Sequence, residues 1–352
     1  MSETTPNETQ RLDALAAREF PVRHNQVYLN HAAISPWPDR ARKAMRAFAD
    51  DLAENGSLHY GRWQQTDALL RRRLRDLVGA ASTDDIALVA NTSAGLSLVA
   101  EGLNWHPGDN VVISDSEFPS NRMVWEALAD RGVTVREAPC TAGGDCARAV
   151  LERVDHRTRV VSLSSVQFGT GVRPDLARIG AELAGTRTAF CVDAIQSLGA
   201  FPLDARAIGA DFVTADGHKW MLGPEGLGVF YCAPEWRERL RLHQWGWHMA
   251  EPFGDFDARQ WRPTSTARRF EAGTPNTPSA HAWEASLAVL QEAGLDAVAE
   301  RITARVDHLD RALAGLPGVE FVTPRQAKDR GGILTVRFGA HTERIYHALR
   351  AN

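Results

Sequence analysis

Short apolar runs alternate with amphipathic stretches between residues 86 and 232. Apolar runs bounded by turn residues are typical of buried strands, and apolar positions at helical spacing indicate the intervening helices. The predicted strands are Ile86 to Ala90, Val111 to Ser114, Val133 to Glu137, Val160 to Ser164, Ala189 to Asp193, Asp211 to Ala215 and Gly228 to Cys232. This alternation predicts an α/β protein with a mainly parallel, doubly wound sheet.

Helical patterns lie between these strands and after them. The predicted helices are Leu58 to Val78, Gly95 to Leu103, Asn121 to Asp130, Asp175 to Ala184, Ala280 to Ala293 and Leu295 to Leu316, with another opened by Pro36. A last strand, Ile333 to Phe338, follows them. We therefore predict an N-terminal arm over 1–27 that belongs to a small lobe, a large domain over 28–270, and a smaller C-terminal α+β lobe over 271–352.

Composition narrows the class of protein. A chain of 352 residues with 44% hydrophobic residues can bury one large core and a smaller lobe. A net charge of −4 without a basic tract argues against a nucleic-acid partner. No secretory segment and no bilayer-length apolar run stands out, so we expect a cytoplasmic protein without membrane contact. The four cysteines show no metal-ligand spacing, and Cys191 and Cys232 fall inside predicted core strands.

One lysine stands where a predicted strand meets a glycine-rich turn. Lys219 follows the strand Asp211 to Ala215 and precedes the turn at 223–228. An ammonium group loses hydration at the mouth of a buried strand. The same loss suits a lysine whose neutral amine must attack a carbonyl group. Lys219 is therefore the candidate Schiff-base lysine, and a solvated loop lysine is the alternative.

A carboxylate residue ends the predicted strand Ala189 to Asp193, which precedes the strand before Lys219. Asp193 lies where a parallel sheet delivers groups to its C-terminal edge, the usual ligand side. A buried aspartate there needs a cationic or hydrogen-bonding partner, and the protonated ring nitrogen of pyridoxal phosphate is one. Gln196 could donate to the ring oxygen of the same cofactor. Helix capping by Asp193 is the alternative, but its pairing with Lys219 favours the cofactor.

A phosphate site is predicted between the first strand and its helix. Asn91-Thr92-Ser93-Ala94-Gly95 follows a strand and opens a helix, so free N–H groups and the positive end of the helix dipole suit a dianion. The Ser93 hydroxyl adds a donor. Capping of the helix by Thr92 or Ser93 is the alternative, and it is compatible with phosphate binding.

Five motifs in a fixed order resemble the class V aminotransferase family of pyridoxal-phosphate enzymes. They are YLNHAA at 28–33, NTSAG at 91–95, VDAIQS at 192–197, DGHKW at 216–220 and FEAGTPN at 270–276. The family also holds cysteine desulfurases, selenocysteine lyases, isopenicillin N epimerase and kynureninase. The resemblance runs from about Tyr28 to the end of the chain. It implies the fold-type-I architecture, pyridoxal 5′-phosphate as cofactor and an amino-acid substrate.

The resemblance implies further cofactor contacts close to Lys219. Ser93 and the Ala94 amide match the family's phosphate cup, and His218 flanks the Schiff-base lysine. Asp216 stands where many desulfurases carry a phosphate-binding serine. A carboxylate there would repel the phosphate unless it turns toward a cation.

Four more positions follow from the same resemblance. Phe118 matches the residue that stacks on the cofactor ring, where cysteine desulfurases usually carry a histidine that can titrate. Gln167 matches a position beside the ring oxygen and the substrate. Gly273 and Thr274 match residues that reach the phosphate of a neighbouring subunit, which predicts a homodimer with shared active sites.

The expected function is catalysis on an amino acid through an external aldimine, with Lys219 as proton carrier. Because Phe118 cannot titrate, transamination is the first choice. A cysteine or selenocysteine lyase, or an isopenicillin N epimerase-like enzyme, is the alternative. A non-catalytic, cofactor-binding family member is an alternative of another class.

Two departures from the family concern the C-terminal lobe. No cysteine follows Cys232 to act as a desulfurase nucleophile. The family's arginine for the substrate α-carboxylate would lie beyond Asn352, so we expect a truncated small lobe or a substitute arginine. Candidate substitutes are Arg62, Arg268 and Arg337.

Overall fold

The computed structural model describes residues 8–141 and 143–351. Its centre is a seven-stranded sheet with the order β1-β7-β6-β5-β4-β2-β3. The strands are β1 Ile86–Val89, β2 Asn110–Ser114, β3 Thr134–Ala138, β4 Thr158–Ser164, β5 Ala189–Asp193, β6 Phe212–Asp216 and β7 Gly228–Cys232. All neighbours pair in parallel except β7, which runs antiparallel to β1 and β6. The mainly parallel sheet is therefore confirmed.

Helices surround this sheet and continue beyond it. They are α1 Glu8–Glu19, α2 Asp39–Asn55, α3 Tyr60–Val78, α4 Thr92–Gly102, α5 Ser120–Glu126, α6 Cys146–Leu151, α7 Leu176–Leu183, α8 Pro234–Arg237, α9 Thr277–Ala293, α10 Leu295–Ala314 and α11 Thr342–Ala351. Two small antiparallel pairs complete the structure, β8 Ala250–Glu251 with β9 Arg262–Pro263 and β10 Glu320–Phe321 with β11 Val336–Arg337. Each of these pairs lies outside the central sheet.

The central strands are apolar because both faces of the sheet are covered. Strands β1, β2, β5, β6 and β7 are buried along their whole length, as expected for a parallel sheet between helical layers. Phe190, Phe212 and Phe230 are among the largest fully buried side chains. A rigid sheet of this kind fixes the positions of polar residues that follow its strands.

Two contacts tie N-terminal helices to the part of the chain around α9. Helix α1 packs on α9 through Leu15, Val289 and Ala293. Deeper in the molecule, Arg71 on α3 forms a bidentate ion pair with Glu271, with N–O distances of 2.6 and 2.7 Å. Both side chains are buried, so this pair ties α3 to the chain segment that leads into α9.

Three predicted elements differ in the structure. The helix expected from Pro36 begins at Asp39, because the preceding chain is tied to another loop by the Ser35 N–H, which donates to the His218 carbonyl at 2.9 Å. The strand expected over Ile333 to Phe338 shortens to β11, which pairs only with the two residues of β10. After α5 the helix expected to reach Asp130 changes to a 3₁₀ turn.

The cysteines divide into two kinds. Cys191 and Cys232 are buried free thiols in β5 and β7, as the sequence predicts. Cys140 and Cys146 form a disulfide between the end of β3 and the start of α6. This pairing was not predicted, because it depends on a close approach of the two segments in the fold.

Candidate functional site

A cavity of about 480 Å³ opens at the C-terminal ends of β5 and β6 and at the N-terminus of α4. It gathers most of the residues singled out in the sequence. The lining residues are Asn30, Ala32, Ala33, Asn91, Thr92, Ser93, Phe118, Ser120, Phe168, Asp193, Ile195, Gln196, Asp216, His218 and Lys219. This position is the usual ligand side of an open α/β sheet.

Lys219 lies in the turn of the hairpin formed by β6 and β7. Only 9% of its surface is exposed. Burial lowers the pKa of its ammonium group, and the charges of Asp193 and Asp216 oppose that fall. A lowered pKa leaves more of the amine neutral near neutral pH, and the neutral form is the one that can attack a carbonyl group or accept a proton. The structure therefore gives Lys219 the environment expected of a Schiff-base lysine.

Helix α9 holds the turn that carries Lys219. The Ser286 hydroxyl donates to the Leu222 carbonyl at 2.8 Å, and Leu222 itself has a left-handed backbone with φ of 61°. Trp283 packs so closely that a Cβ atom added at Gly217 or Gly223 would lie 2.8 or 2.5 Å from its ring. The glycines are therefore required by packing, and the turn is fixed from outside the sheet.

Asp193 lies at the end of β5 with 2% of its surface exposed. Its carboxylate accepts one hydrogen bond, from the Ile195 N–H at 3.0 Å. Burial raises the pKa of Asp193 to about 7, with a further rise from Glu117 and a fall from Lys219. A buried carboxylate with so few donors needs a cationic partner in the cavity.

Hydroxyl groups gather at the other end of the cavity, around the N-terminus of α4. The Ser93 and Ser120 hydroxyls lie 2.8 Å apart. Thr92 accepts a hydrogen bond from the Asp216 N–H at 2.9 Å. These hydroxyls and the helix N-terminus suit an anion, which agrees with the role predicted for Ser93.

The Ala94 amide already has a hydrogen-bond partner, and the Asp216 carboxylate faces a neighbouring imidazole. The Ala94 N–H donates to the side chain of Asn91 at 2.9 Å, which caps α4. The Asp216 carboxylate lies 3.2 Å from Nδ1 of His218. Asp216 is thus directed toward an imidazole, and neither its Oδ1 nor Nδ1 of His218 has a hydrogen-bond partner.

An apolar wall closes the cavity beside Lys219. The rings of Phe118 and Phe168 meet edge to face with centroids 5.1 Å apart. Nζ of Lys219 lies 5.6 Å from the centre of the Phe118 ring. Both phenylalanines are partly exposed to the cavity side, at 41% and 42%. Phe118 therefore lines the cavity beside Lys219, and its predicted stacking on the cofactor ring stays a prediction.

Gln196 joins the sheet to the segment near the N-terminus. Its Nε2 donates to the Ala32 carbonyl and its Oε1 accepts from Nε1 of Trp220, both at 3.0 Å. His31 stacks on the same indole with centroids 5.7 Å apart. Gln196 lines the cavity as predicted, and its amide also fixes the segment that brings Asn30 there.

Four predicted site residues do not line the cavity, and Ala94 on α4 is one of them. Gln167 is fully buried behind the wall, and its Nε2 donates to Glu117 at 2.8 Å. Gly273 and Thr274 are exposed and lie beyond Glu271, which anchors the motif to Arg71. They contribute nothing to the cavity of their own chain, and their predicted contact with a neighbouring subunit stays a prediction.

None of the candidate substitute arginines is among the described residues that line the cavity. Arg62 is exposed on α3. Arg268 lies 3.4 Å from Asp67, and Arg337 lies 3.7 Å from Glu320. The three are therefore not placed to hold a substrate carboxylate there.

The sequence analysis missed three residues of this region. Asn30 and Ser120 line the cavity, and Glu117 is a buried carboxyl behind it. Glu117 stands directly before Phe118 and four residues before Asn121, whose Nδ2 donates to it. An acidic residue in a segment that immediately follows a buried strand was the available signal, since such a residue is seldom buried without a role.

Neither a metal-ion site nor a membrane-spanning helix is found among the described residues. Within residues 8–141 and 143–351, no group of three or more histidine, cysteine or acidic side chains is arranged to hold a metal ion. Across the same residues, no helix combines the length and the apolar character needed to cross a bilayer.

Comparison with known proteins identifies relatives of this chain. The family model described as aminotransferase class-V matches residues 27–352. A probable cysteine desulfurase of Methanothermobacter thermautotrophicus is 30% identical over 309 residues, which are 86% of this chain and 76% of the relative.

Two solved structures of C-DES superpose closely on the fold. A lysine-to-alanine mutant with glycine covalently linked to its pyridoxal-phosphate cofactor has a TM-score of 0.85 and 26% identity, over 99% of this chain and 90% of C-DES. A complex described as the cystine C–S lyase with its product cysteine persulfide has a TM-score of 0.80 and 29% identity, over 87% and 84%. The fold is therefore the fold-type-I architecture that the sequence predicts.

Proposed function

Because the chain belongs to the class-V aminotransferase family, we propose that it is a pyridoxal-phosphate-dependent lyase that cleaves the carbon–sulfur bond of cysteine or cystine. The observation that carries this proposal is the buried amine of Lys219 in one cavity with Asp193 and the hydroxyls of α4. The relatives favour this lyase alternative over the transamination that was the first choice from sequence.

The cavity fits the cofactor at each of its functional groups. The hydroxyls of Ser93 and Ser120 at the N-terminus of α4 suit the phosphate. Lys219 would hold the aldehyde carbon through its Nζ. Asp193 supplies the negative charge that a protonated ring nitrogen needs, which also explains why this carboxylate has so few donors. Phe118 offers an apolar face for the ring.

The bound cofactor supplies an electron sink for the electron pair left when the α-proton of an amino acid is removed. Lys219 is the base for that proton, because burial keeps part of its amine neutral. Asp193 holds a proton on the ring nitrogen and so maintains the sink. The wall formed by Phe118 and Phe168 excludes water from one side of the reacting carbon.

The cysteines favour elimination over attack by a protein thiol. Cys191 and Cys232 are buried, and burial raises the pKa of both thiols. Cys140 and Cys146 are joined in a disulfide. Since a thiolate is the reactive form, these residues do not provide the nucleophile that a desulfurase requires. Elimination needs only Lys219 as proton carrier, with the sulfur leaving together with its bonding electrons.

The products distinguish the candidate activities. Elimination consumes one water with either substrate: cysteine gives pyruvate, ammonia and sulfide, and cystine gives pyruvate, ammonia and cysteine persulfide. Desulfuration would give alanine, and transamination would leave the cofactor as pyridoxamine phosphate with a keto acid that retains sulfur. The cofactor-loaded protein is incubated with each substrate, with Lys219→Ala as control. We expect pyruvate and ammonia in equal amounts; alanine or pyridoxamine phosphate as main product would refute the lyase.

We also propose that the active unit is a homodimer. Gly273 and Thr274 are exposed but follow Glu271, which is fixed in the core by Arg71. A short exposed segment held so firmly at its base is suited to contact a second copy.

A spectrum of the cofactor-loaded protein that does not respond to any amino acid would favour the non-catalytic, cofactor-binding alternative.

A further inference from the structure

The Glu117 carboxyl is buried behind the cavity among uncharged donors. It accepts hydrogen bonds from the Ser164 N–H at 2.9 Å, Asn121 Nδ2 at 2.8 Å, Gln167 Nε2 at 2.8 Å and the Ser164 hydroxyl. None of these partners carries a positive charge. A buried carboxylate without a cation is costly, and such groups commonly hold a proton instead.

Two of these donors have a fixed direction. The Ser164 N–H can only donate. Asn121 is fixed as well, because its Oδ1 faces Nε1 of Trp125 at 3.1 Å, and an indole nitrogen can only donate. One fixed donor thus faces each oxygen of Glu117, the Ser164 N–H at Oε1 and the Asn121 amide at Oε2.

The Gln167 amide is free to present either end to Glu117. Its oxygen and nitrogen are nearly equal in size, so hydrogen bonding decides which faces which partner. With Nε2 toward Glu117, the Gln167 Oε1 is buried without any hydrogen-bond partner. Such an orphaned acceptor costs about 1–3 kcal/mol. If the amide is rotated so that its oxygen faces Glu117, its nitrogen lies on the opposite side without a hydrogen-bond partner.

Glu117 and Gln167 both lie directly behind the cavity wall. Each precedes a phenylalanine of that wall, Phe118 and Phe168, whose rings touch. Gln167 is thus adjacent in the chain to the wall residue Phe168, and a free amide nitrogen on it would be a buried donor without a partner in the protein.

On the basis of the proposed function, we propose that Glu117 is a positioning residue that donates a hydrogen bond to Oε1 of Gln167 and thereby turns the Gln167 amide nitrogen toward the cofactor. The nitrogen then donates to the ring oxygen of pyridoxal phosphate. Glu117 does not touch the cofactor and acts through Gln167.

The charges around Glu117 agree with this assignment. Burial raises the pKa of Glu117, and its hydrogen bonds only oppose that rise. Glu117 interacts electrostatically with Asp193, whose own pKa Glu117 raises and Lys219 lowers. A proton on Glu117 removes the repulsion between the two carboxyls, so Asp193 can keep its negative charge for the ring nitrogen.

The same geometry explains why a glutamate and not a glutamine suits this position. A protonated carboxyl can donate one hydrogen bond while both of its oxygens still accept. A glutamine at 117 would set its NH₂ group against the Ser164 N–H or the Asn121 amide. We therefore expect Glu117→Gln to fail as a substitute although it is neutral and equal in size.

Infrared spectroscopy of the cofactor-free protein tests the proton directly. We expect the wild type at pH 7 to show a C=O stretch of a protonated carboxylic acid, separate from the band of a partly protonated Asp193, that is lost in Glu117→Gln and retained in Asp193→Asn. The band should shift in Gln167→Ala, which removes the acceptor. Absence of the band, its loss in Asp193→Asn, or no shift in Gln167→Ala would overturn the proposal. If Glu117→Gln does not fold, the Asp193→Asn and Gln167→Ala spectra still decide.

Cofactor affinity tests the action through Gln167. We expect Glu117→Gln and Gln167→Ala each to weaken pyridoxal-phosphate binding about tenfold, about 1.4 kcal/mol, and the double variant to be no weaker than either single variant. Additive losses would mean that Glu117 acts on its own and would overturn the proposal. A wild type that does not bind the cofactor would refute the proposed function, and with it the hydrogen bond from Gln167 to the cofactor. The infrared test of the proton on Glu117 uses cofactor-free protein and is independent of that outcome.

Discussion

Replacing Asp193 by asparagine should stabilise the cofactor-free protein while it impairs the loaded one. The pKa of Asp193 rises from 3.8 to about 7 on folding because of burial. At about 1.4 kcal/mol per unit, the folded state loses about 4 kcal/mol once the carboxyl is ionised in both states. Asparagine keeps an acceptor for the Ile195 N–H but carries no charge.

The sign of the pH dependence follows from linkage. Between about pH 4 and pH 7 the folded protein binds more protons at Asp193 than the unfolded chain, so wild-type stability falls as pH rises through this window. Asp193→Asn should therefore be more stable than the wild type by about 4 kcal/mol at pH 8 and by almost nothing at pH 4. With cofactor bound, the protonated ring nitrogen offsets the free-energy cost of the buried, ionised Asp193 in the wild type. The variant lacks this charge and should lose more than tenfold in turnover.

Urea unfolding of both proteins without cofactor, at pH 4 and pH 8, measures this difference. Asp204→Asn is the matched control, because Asp204 is exposed and accepts the same kind of bond, from the N–H two residues ahead at 3.0 Å. The control should show no gain at either pH. A variant that is equally stable at both values, or that keeps turnover within about threefold (under 1 kcal/mol), would make Asp193 a helix cap and not the ring partner.

Three further predictions address the lysine, the buried ion pair and the assembly. Lys219→Ala should fold but lose the visible absorbance of lysine-bound cofactor. A cofactor linked to another lysine through a bond that borohydride reduces would contradict this prediction. Glu271→Ala should lower the free energy of unfolding by about 3–5 kcal/mol, because Arg71 would remain buried without its bidentate partner; a loss below 1 kcal/mol would show that water replaces it. Thr274→Arg should shift light scattering from dimer toward monomer, and a monomeric wild type would refute the shared site.

The large-scale order of the fold was accessible from sequence because local patterns determine it. Strands β5 and β7 have the predicted bounds, since turn residues frame each apolar run. Asp193 ends β5, Asp216 ends β6 and Lys219 lies between β6 and β7, so locating the strands also located the cavity. In a parallel sheet, what comes directly after a strand lies near the ligand.

What the sequence did not reveal depends on contacts between distant segments. Glu117 is buried only because Asn121, Ser164 and Gln167 surround it from two other elements. The pairing of Cys140 with Cys146 likewise depends on how the end of β3 and the start of α6 meet. Gln167 was identified, but its position behind the wall depends on Glu117.

The close contact between Trp283 and the two glycines constrains the order in which substitutions can accumulate. An alanine at Gly217 or Gly223 would collide with the indole, so a lineage can accept it only after Trp283 has become smaller. That earlier step would leave a cavity in a fully buried site, at a cost of about 3–5 kcal/mol. Each single replacement is thus harmful on its own, and only the joint change is tolerable. Among descendants of this protein, the lysine turn and α9 should therefore retain their residues together or exchange them together.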